Sequence, residues 1–513
     1  MSTFAQTPVR LSWQEFAKDP ARLQSYRNAV AAMKALNTAD PASVQFRQSW
    51  TYWANMHGYF GPQAKNGTVA AFRKQYEMDG KEYDAAFAGV VDMTPPDAVA
   101  TAVWDQCQHG TDYFFPWHRL YLHYFEQVLQ KAAGDPSLRL PYWDYTDTAN
   151  LAMPAEFTSP TYTNAQGQVV DNPLYEARRD KGWNVPPGTE KLAAKDTNID
   201  QTLDLTQLLN TVVNGKVTVK GYQPAIEQRP HGYAHCAVMG CKATVMGAVA
   251  YSANDPIFYI HHANIDRLWD CWMSIKGHVN PGAPWTAQSF SYVDANGTQV
   301  SNKISDLFKP GFIDYVYQQP SNCKRTKAAP MATTAAAPAR ARAAHAALAT
   351  PLLLGEETAD LALDAPLVRR RVTLPATATL AHPREFALRD QEEVAVAIDL
   401  TLRGVQFGKH PNAEFRVYLE RTDNSQARQF VGTLSFFSQE AVGTAHAHHH
   451  HVVTSDDWTF DVTEELRALR LEGTGTLAVN VIVEVEEDDL EEFDPAAARV
   501  VIDEIEFHVR RDL

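Results

Sequence analysis

Residues 327–350 read KAAPMATTAAAPARARAAHAALAT, a run of Ala, Pro and Thr with few large apolar side chains. Such a stretch cannot bury enough surface to fold, so structure must be built separately on either side of it. The texture differs on the two sides. Residues 117–129 space their large apolar side chains three to four apart and end near Gly134 and Pro136, which predicts an amphipathic helix. Residues 257–272 repeat that pattern after Asp255-Pro256, a proline well placed to open a helix. Residues 150–225 are rich in Pro, Gly, Asn and Thr and read as mostly irregular. Beyond the run, segments 394–400, 415–419, 430–434, 479–483 and 501–509 alternate as half-buried strands do. The expected organisation is a mainly α domain over 1–326, an exposed linker over 327–350, and an all-β sandwich over 351–513. Arg340 and Arg342 make the linker a target for a trypsin-like protease.

The net charge of −15 argues against nucleic acid or an anionic membrane face as partner, because like charges repel at long range. Small neutral or cationic molecules are compatible with that field, and a homo-oligomer is left open. No stretch approaches about 18 unbroken apolar residues, so no membrane span is expected. The first ten residues have no basic start followed by an apolar run, so no secretory signal is expected. The 5 cysteines do not read as a disulfide framework, and their odd number leaves at least one unpaired. A cytoplasmic location follows as the expectation.

The placement of the 18 histidines is more telling than their number. His231 and His235 lie four apart in HGYAH, on one face of a helix, where two imidazoles can grip one ion. About thirty residues on, His261 and His262 open the apolar segment NDPIFYIHHANIDRLW. Burying that pair without partners is costly, since each ring carries polar nitrogens that need a bond. Upstream, His57, His109 and His118 form a second set among aromatic residues. Neutral imidazole suits copper as well as zinc. The lack of a ligating carboxylate or CxxC pair disfavours calcium, magnesium and structural zinc. Three nitrogens per ion leave coordination positions open, as catalysis requires.

At HGTDYFFPWHRLYLHYFEQVL (109–129), LPYWDYT (140–146), HGYAH (231–235) and NDPIFYIHHANIDRLWDCW (254–272) the sequence resembles the type-3 copper proteins: tyrosinases, catechol oxidases and molluscan haemocyanins. The resemblance spans most of residues 50–275. It implies a four-helix bundle holding two copper ions, copper A on His57, His109 and His118 and copper B on His231, His235 and His262. His262 is preferred to His261 because the family ligand lies four residues before the motif's aspartate, here Asp266. His261 becomes a neighbour that orients substrate or bonds the backbone. Cys107 matches the position of a Cys–His thioether to His109. Phe114, Phe258 and Trp269 are expected to shield the site from water.

The implied reaction uses dioxygen as co-substrate, hydroxylating monophenols and oxidising ortho-diphenols to quinones. Val249 stands where plant catechol oxidases often carry a bulky Phe over copper B, and its smaller side chain favours monophenols. Glu227 matches an acidic residue thought to hold the water that deprotonates the phenol. Gly232 departs from the Asn of many active tyrosinases. Cys236 after His235 is also unusual. Catechol or ortho-aminophenol oxidation is the alternative within enzymes, with a haemocyanin-like oxygen carrier or a dizinc hydrolase further off. Residues 351–513 resemble, more weakly, the carboxy-terminal domain of polyphenol oxidase proenzymes, which implies a latent enzyme with Phe436 or Phe437 as a plug over the site. His446, His448, His449, His450 and His451 read as a loop that either ferries copper or is merely solvated.

Overall fold

The computed structural model describes residues 7–59, 94–179, 181–185, 190–200, 202–213, 216–239, 245–318, 352–375, 396–437, 456–470, 476–490 and 493–511. The Ala/Pro-rich linker and the histidine run at 446–451 lie outside them. The chain divides into two compact units, one helical and one built of sheets.

In the helical unit, α1 (Pro20–Ala35), α2 (Trp50–His57), α3 (Phe114–Ala133), α4 (Tyr233–Met239) and α5 (Ile257–Met273) surround an aromatic core. Local chemistry fixes their ends. Asp19 caps α1 by accepting from the Ala21 and Arg22 amides, with Pro20 in the first turn, and Ser49 caps α2 by accepting from Tyr52 N. Gly134 closes α3 in the left-handed conformation, φ 64°, which a side chain would strain. Asp255 opens α5 by accepting from Ile257 N at 3.0 Å. Segment 150–225, expected to be irregular, also holds two short hairpins, Thr161–Thr163 with Val169–Asp171 and Thr211–Val213 with Lys216–Val219.

Asp266, one turn past His262, is the hub of a buried charge network. It accepts from Arg119 Nε at 2.5 Å, Tyr315 OH at 3.0 Å and Tyr317 OH at 2.7 Å, and Arg10 Nη1 lies 3.7 Å away. Through it α3 and α5 are tied to the strands Val9–Arg10 and Val316–Tyr317, which pair in parallel. A second buried pair, Arg179 on Asp255 at 2.5 and 2.7 Å, holds the start of α5.

The second unit has strands β1 (Leu352–Ala362), β2 (Leu367–Pro375), β3 (Val396–Val405), β4 (Phe415–Arg421), β5 (Asn424–Leu434), β6 (Asp456–Asp461), β7 (Thr476–Val485) and β8 (Val501–Arg511). They form two four-stranded sheets, ordered β2-β7-β4-β5 and β6-β3-β8-β1, with every pairing antiparallel. Their inward residues make one core, and that core corrects an expectation. Phe436 is fully buried there, its ring 5.2 Å from Phe407, 5.7 Å from Phe415 and 6.4 Å from Trp458. A side chain committed to its own core is not available as a plug. Phe437, beside it, is buried as well.

Candidate metal centre

The histidines arrive from several elements. His57 ends α2, where Gly58 lets the chain pass close to residues 249–250: a Cβ at Gly58 would meet Ala250 Cα at 2.3 Å. His118 lies in the first turns of α3, and His109 on the loop before it. His231 follows a kink at Arg229 (φ −143°, ψ 130°), His235 sits on α4, and His261 and His262 on α5. Potential ligand atoms of His57, Cys107, His109 and His118 fall within 4.8 Å of one another, as do those of His231, His235, His261 and His262. The two groups face each other: the rings of His118 and His262 stack at 4.5 Å and those of His109 and His231 at 5.3 Å.

Backbone carbonyls set the tautomers. The Nδ1–H of His57 donates to Val249 O at 2.9 Å, that of His118 to Phe114 O at 2.7 Å, that of His231 to Glu227 O at 2.9 Å and that of His235 to Met246 O at 2.8 Å. A carbonyl only accepts, so the proton of each neutral ring is on Nδ1 and Nε2 keeps a lone pair. His57 Nε2 is buried with no hydrogen-bond partner among the described residues, and His235 Nε2 meets His262 Nε2 at 3.3 Å. An unsatisfied buried nitrogen costs about 1–3 kcal/mol. Gathering several is tolerable only where something binds them. Burial pushes His57 and His231 down to about 3, and His109, His118, His235, His261 and His262 well below the ordinary histidine range, so every ring is neutral. The donor set fits two copper ions.

Residues 47–275 match the family model described as the common central domain of tyrosinase. Those residues carry a tyrosinase-type central domain, and the chain is similar to tyrosinases and polyphenol oxidases. It is 29% identical over 477 residues to a tyrosinase of Hahella sp. (strain CCB-MM4), covering 87% of this chain and 89% of that one. It is 24% identical over 520 residues to a chloroplastic polyphenol oxidase of Malus domestica, covering 93% and 76%. Among solved structures, latent apple tyrosinase superposes with a TM-score of 0.52 at 21% identity over 98% of both chains. A latent aurone synthase does so at 0.54 and 18%, over 99% of this chain and 91% of that one. At that identity the likeness is one of fold.

Other expected residues of this tyrosinase-type site are placed as follows. Cys107 Sγ lies 3.0 Å from His109 Nδ1 and 3.4 Å from His118 Nε2, and burial, then Glu227 and Asp105, push its thiol well up. Glu227 is buried, with Oε1 accepting from Gly110 N at 2.6 Å. Val249 is half-buried and contributes its carbonyl to His57. Phe258 packs 4.6 Å from His57 and 4.2 Å from His262, and Phe114 4.6 Å from His118, so both wall the site. Trp269 instead stacks on Phe115 at 5.4 Å, with the Arg119 guanidinium over its face. His261, expected to orient substrate or bond the backbone, meets the Tyr145 hydroxyl at 2.9 Å through Nδ1. The anchoring carbonyls of Val249, Phe114 and Met246 left no trace in the side-chain sequence. Tyr145 lay in plain view in LPYWDYT without an assigned role. Cys236 and Cys271 are disulfide-bonded, against the expectation that the cysteines make no such framework.

Proposed function

We propose that this chain is a tyrosinase-type oxidase that hydroxylates monophenols at the ortho position and oxidises ortho-diphenols to ortho-quinones with dioxygen. The observation that carries the reading is the facing pair of buried, neutral imidazole groups, walled by Phe114 and Phe258. His57, His109 and His118 would hold copper A, and His231, His235 and His262 copper B. Bound copper supplies two-electron redox chemistry with dioxygen.

The chain's own residues bind, orient and move protons. Glu227, anchored by the Gly110 amide, holds a water that takes the proton of an entering phenol. Gly232 brings no side-chain amide to share that water, so the carboxylate works alone. That departure favours catechol or ortho-aminophenol oxidation as the second reading. Val249 puts no aromatic ring over the entrance, which favours monophenols. Phe114 and Phe258 exclude water. The sandwich holds the oxidase latent; an aurone synthase and an apple tyrosinase of like fold are latent forms. The disulfide-bonded cysteines favour an oxidising compartment over the cytoplasm for the working enzyme.

Tyrosine and dihydroxyphenylalanine, given to the copper-loaded chain before and after tryptic cleavage in the linker, test all of this. Turnover of both, rising on cleavage, is expected. Turnover of the diphenol alone selects the second reading, and reversible oxygenation without turnover selects the carrier. Val249→Phe should lower the tyrosine rate roughly tenfold and leave the diphenol rate nearly unchanged.

A further inference from the structure

His261 is set apart from its neighbours by what faces its Nδ1. The rings of His57, His118, His231 and His235 each present Nδ1 to a carbonyl, which can only accept, and the Ser252 hydroxyl 3.4 Å from His57 Nδ1 donates to that same Val249 O at 3.2 Å. His261 presents Nδ1 to a hydroxyl, which can also donate: Tyr145 OH, 2.9 Å away and fully buried. Two arrangements are open. If Nδ1–H donates to the phenol oxygen, the tyrosine proton needs another acceptor. The Asn264 amide is the other polar side chain near that hydroxyl, but its carbonyl accepts from Arg267 Nε at 2.8 Å and its Nδ2 has no hydrogen-bond partner among the described residues. The tyrosine proton would then be buried without a partner, at a cost of about 1–3 kcal/mol. If the tyrosine donates to Nδ1, both its proton and that nitrogen are satisfied, and the ring proton moves to Nε2. Among the described residues His261 Nε2 is buried without a hydrogen-bond partner, and the His261 ring stands 5.4 Å from His231 and 4.7 Å from His235.

We propose that Tyr145 is a positioning residue that locks His261 as the Nε2–H tautomer, so that His261 donates a hydrogen bond to the phenolic oxygen docking beside copper B. The lock also explains how one of two adjacent imidazoles is kept off the metal. A nitrogen that carries a proton has no lone pair to give, so His262 closes the copper B set and His261 does not compete. The part played toward the phenol rests on the oxidase reading. The tautomer does not.

The test uses the full chain loaded with copper(I), which is diamagnetic, without oxygen and with 15N-labelled histidine. Long-range proton–nitrogen correlation should find His261 protonated on Nε2 and bare on Nδ1, opposite to His57, His118, His231 and His235. Tyr145→Phe should move His261 toward the Nδ1–H form. An Nδ1–H His261 in the unaltered protein overturns the proposal, as does a tautomer indifferent to Tyr145→Phe. Benzoate, an unreactive aromatic anion, provides the second reading. His261→Phe should weaken its binding roughly tenfold and His261→Gln, which keeps an N–H donor, should restore most of it. Equal weakening by both variants counts against the donor role. A chain that shows the expected tautomer but oxidises no phenol defeats the oxidase reading and leaves the lock standing.

Discussion

The two units bury histidine in opposite ways. In the helical unit, the buried rings of His57, His118, His231 and His235 spend Nδ1 on a carbonyl, and His235 turns Nε2 toward His262. In the sandwich, His410 is also buried, yet both of its nitrogens meet oxygens of the fold, Nε2 with Phe436 O at 3.3 Å and Nδ1 with Asn412 Oδ1 at 3.1 Å. Burial alone does not mark a metal ligand. The mark is a second nitrogen left unspent among others like it. The hardest break of this comparison is to delete one ring of each kind. His57→Ala should drop bound copper from two ions per chain to one and diphenol oxidation by at least about a thousandfold, some 4 kcal/mol of barrier. His410→Ala should leave both unchanged. Metal content by mass spectrometry decides, and a His57→Ala chain that keeps two coppers removes the distinction.

The units differ as much in their ion pairs. Asp266 is buried against Arg119 and Arg10, one turn from His262, whereas Arg428 and Glu484 on the sandwich are each about a third exposed. Removing one partner of a buried pair strands the other, so Asp266→Ala should cost about 3–5 kcal/mol in urea unfolding of the full chain. Glu484→Ala should cost at most about 1 kcal/mol, because water already screens that pair. Similar costs would mean that Asp266 is less enclosed than its surroundings indicate.

What was legible in the sequence follows the same line. Helices α3 and α5 and the antiparallel strands show because side-chain periodicity reports burial directly, and Gly134 and Asp255 punctuate as their backbone chemistry requires. The ligand histidines stand out because an imidazole in an aromatic helix needs a reason. The carbonyl that orients each ring is invisible, since every residue has one, and Val249, singled out for its side chain, acts on His57 through its backbone. Phe436 misled because a Phe in a strand-end turn reads the same whether it faces a core or leaves it. Trp269 likewise sits on the ligand-bearing helix but on the face turned to Phe115.

His410 offers a gentler break, through pH. Burial lowers it from the ordinary value of 6.5 to about 4, so the folded unit binds fewer protons than the unfolded chain between those values. Stability therefore rises with pH across that window and is lost as pH falls from about 6.5 toward 4, by about 3 kcal/mol in all. Hydrogen exchange of the β4 amides in the full chain should show that loss, and His410→Gln should flatten it. A slope that survives the substitution belongs to other groups.

The smallest effect expected concerns Cys107, which makes His109 an exception to the carbonyl rule. Sulfur, not oxygen, stands 3.0 Å from His109 Nδ1, and the residue lies on a loop, with no helix to restrain it. A ring on a loop keeps more freedom to swing off its metal, and the neighbouring sulfur is one contact that limits it. Cys107→Ser should therefore weaken copper A alone, by roughly tenfold or about 1.4 kcal/mol, the scale on which an outer partner of a ligand histidine acts. Copper B, whose His231 and His235 rings are held by carbonyls, should not respond. Chelator competition resolves the two ions as successive steps, and only the weaker step should move. Equal movement of both would mean that sulfur acts on the whole centre, and that loop and helix hold their imidazoles equally well.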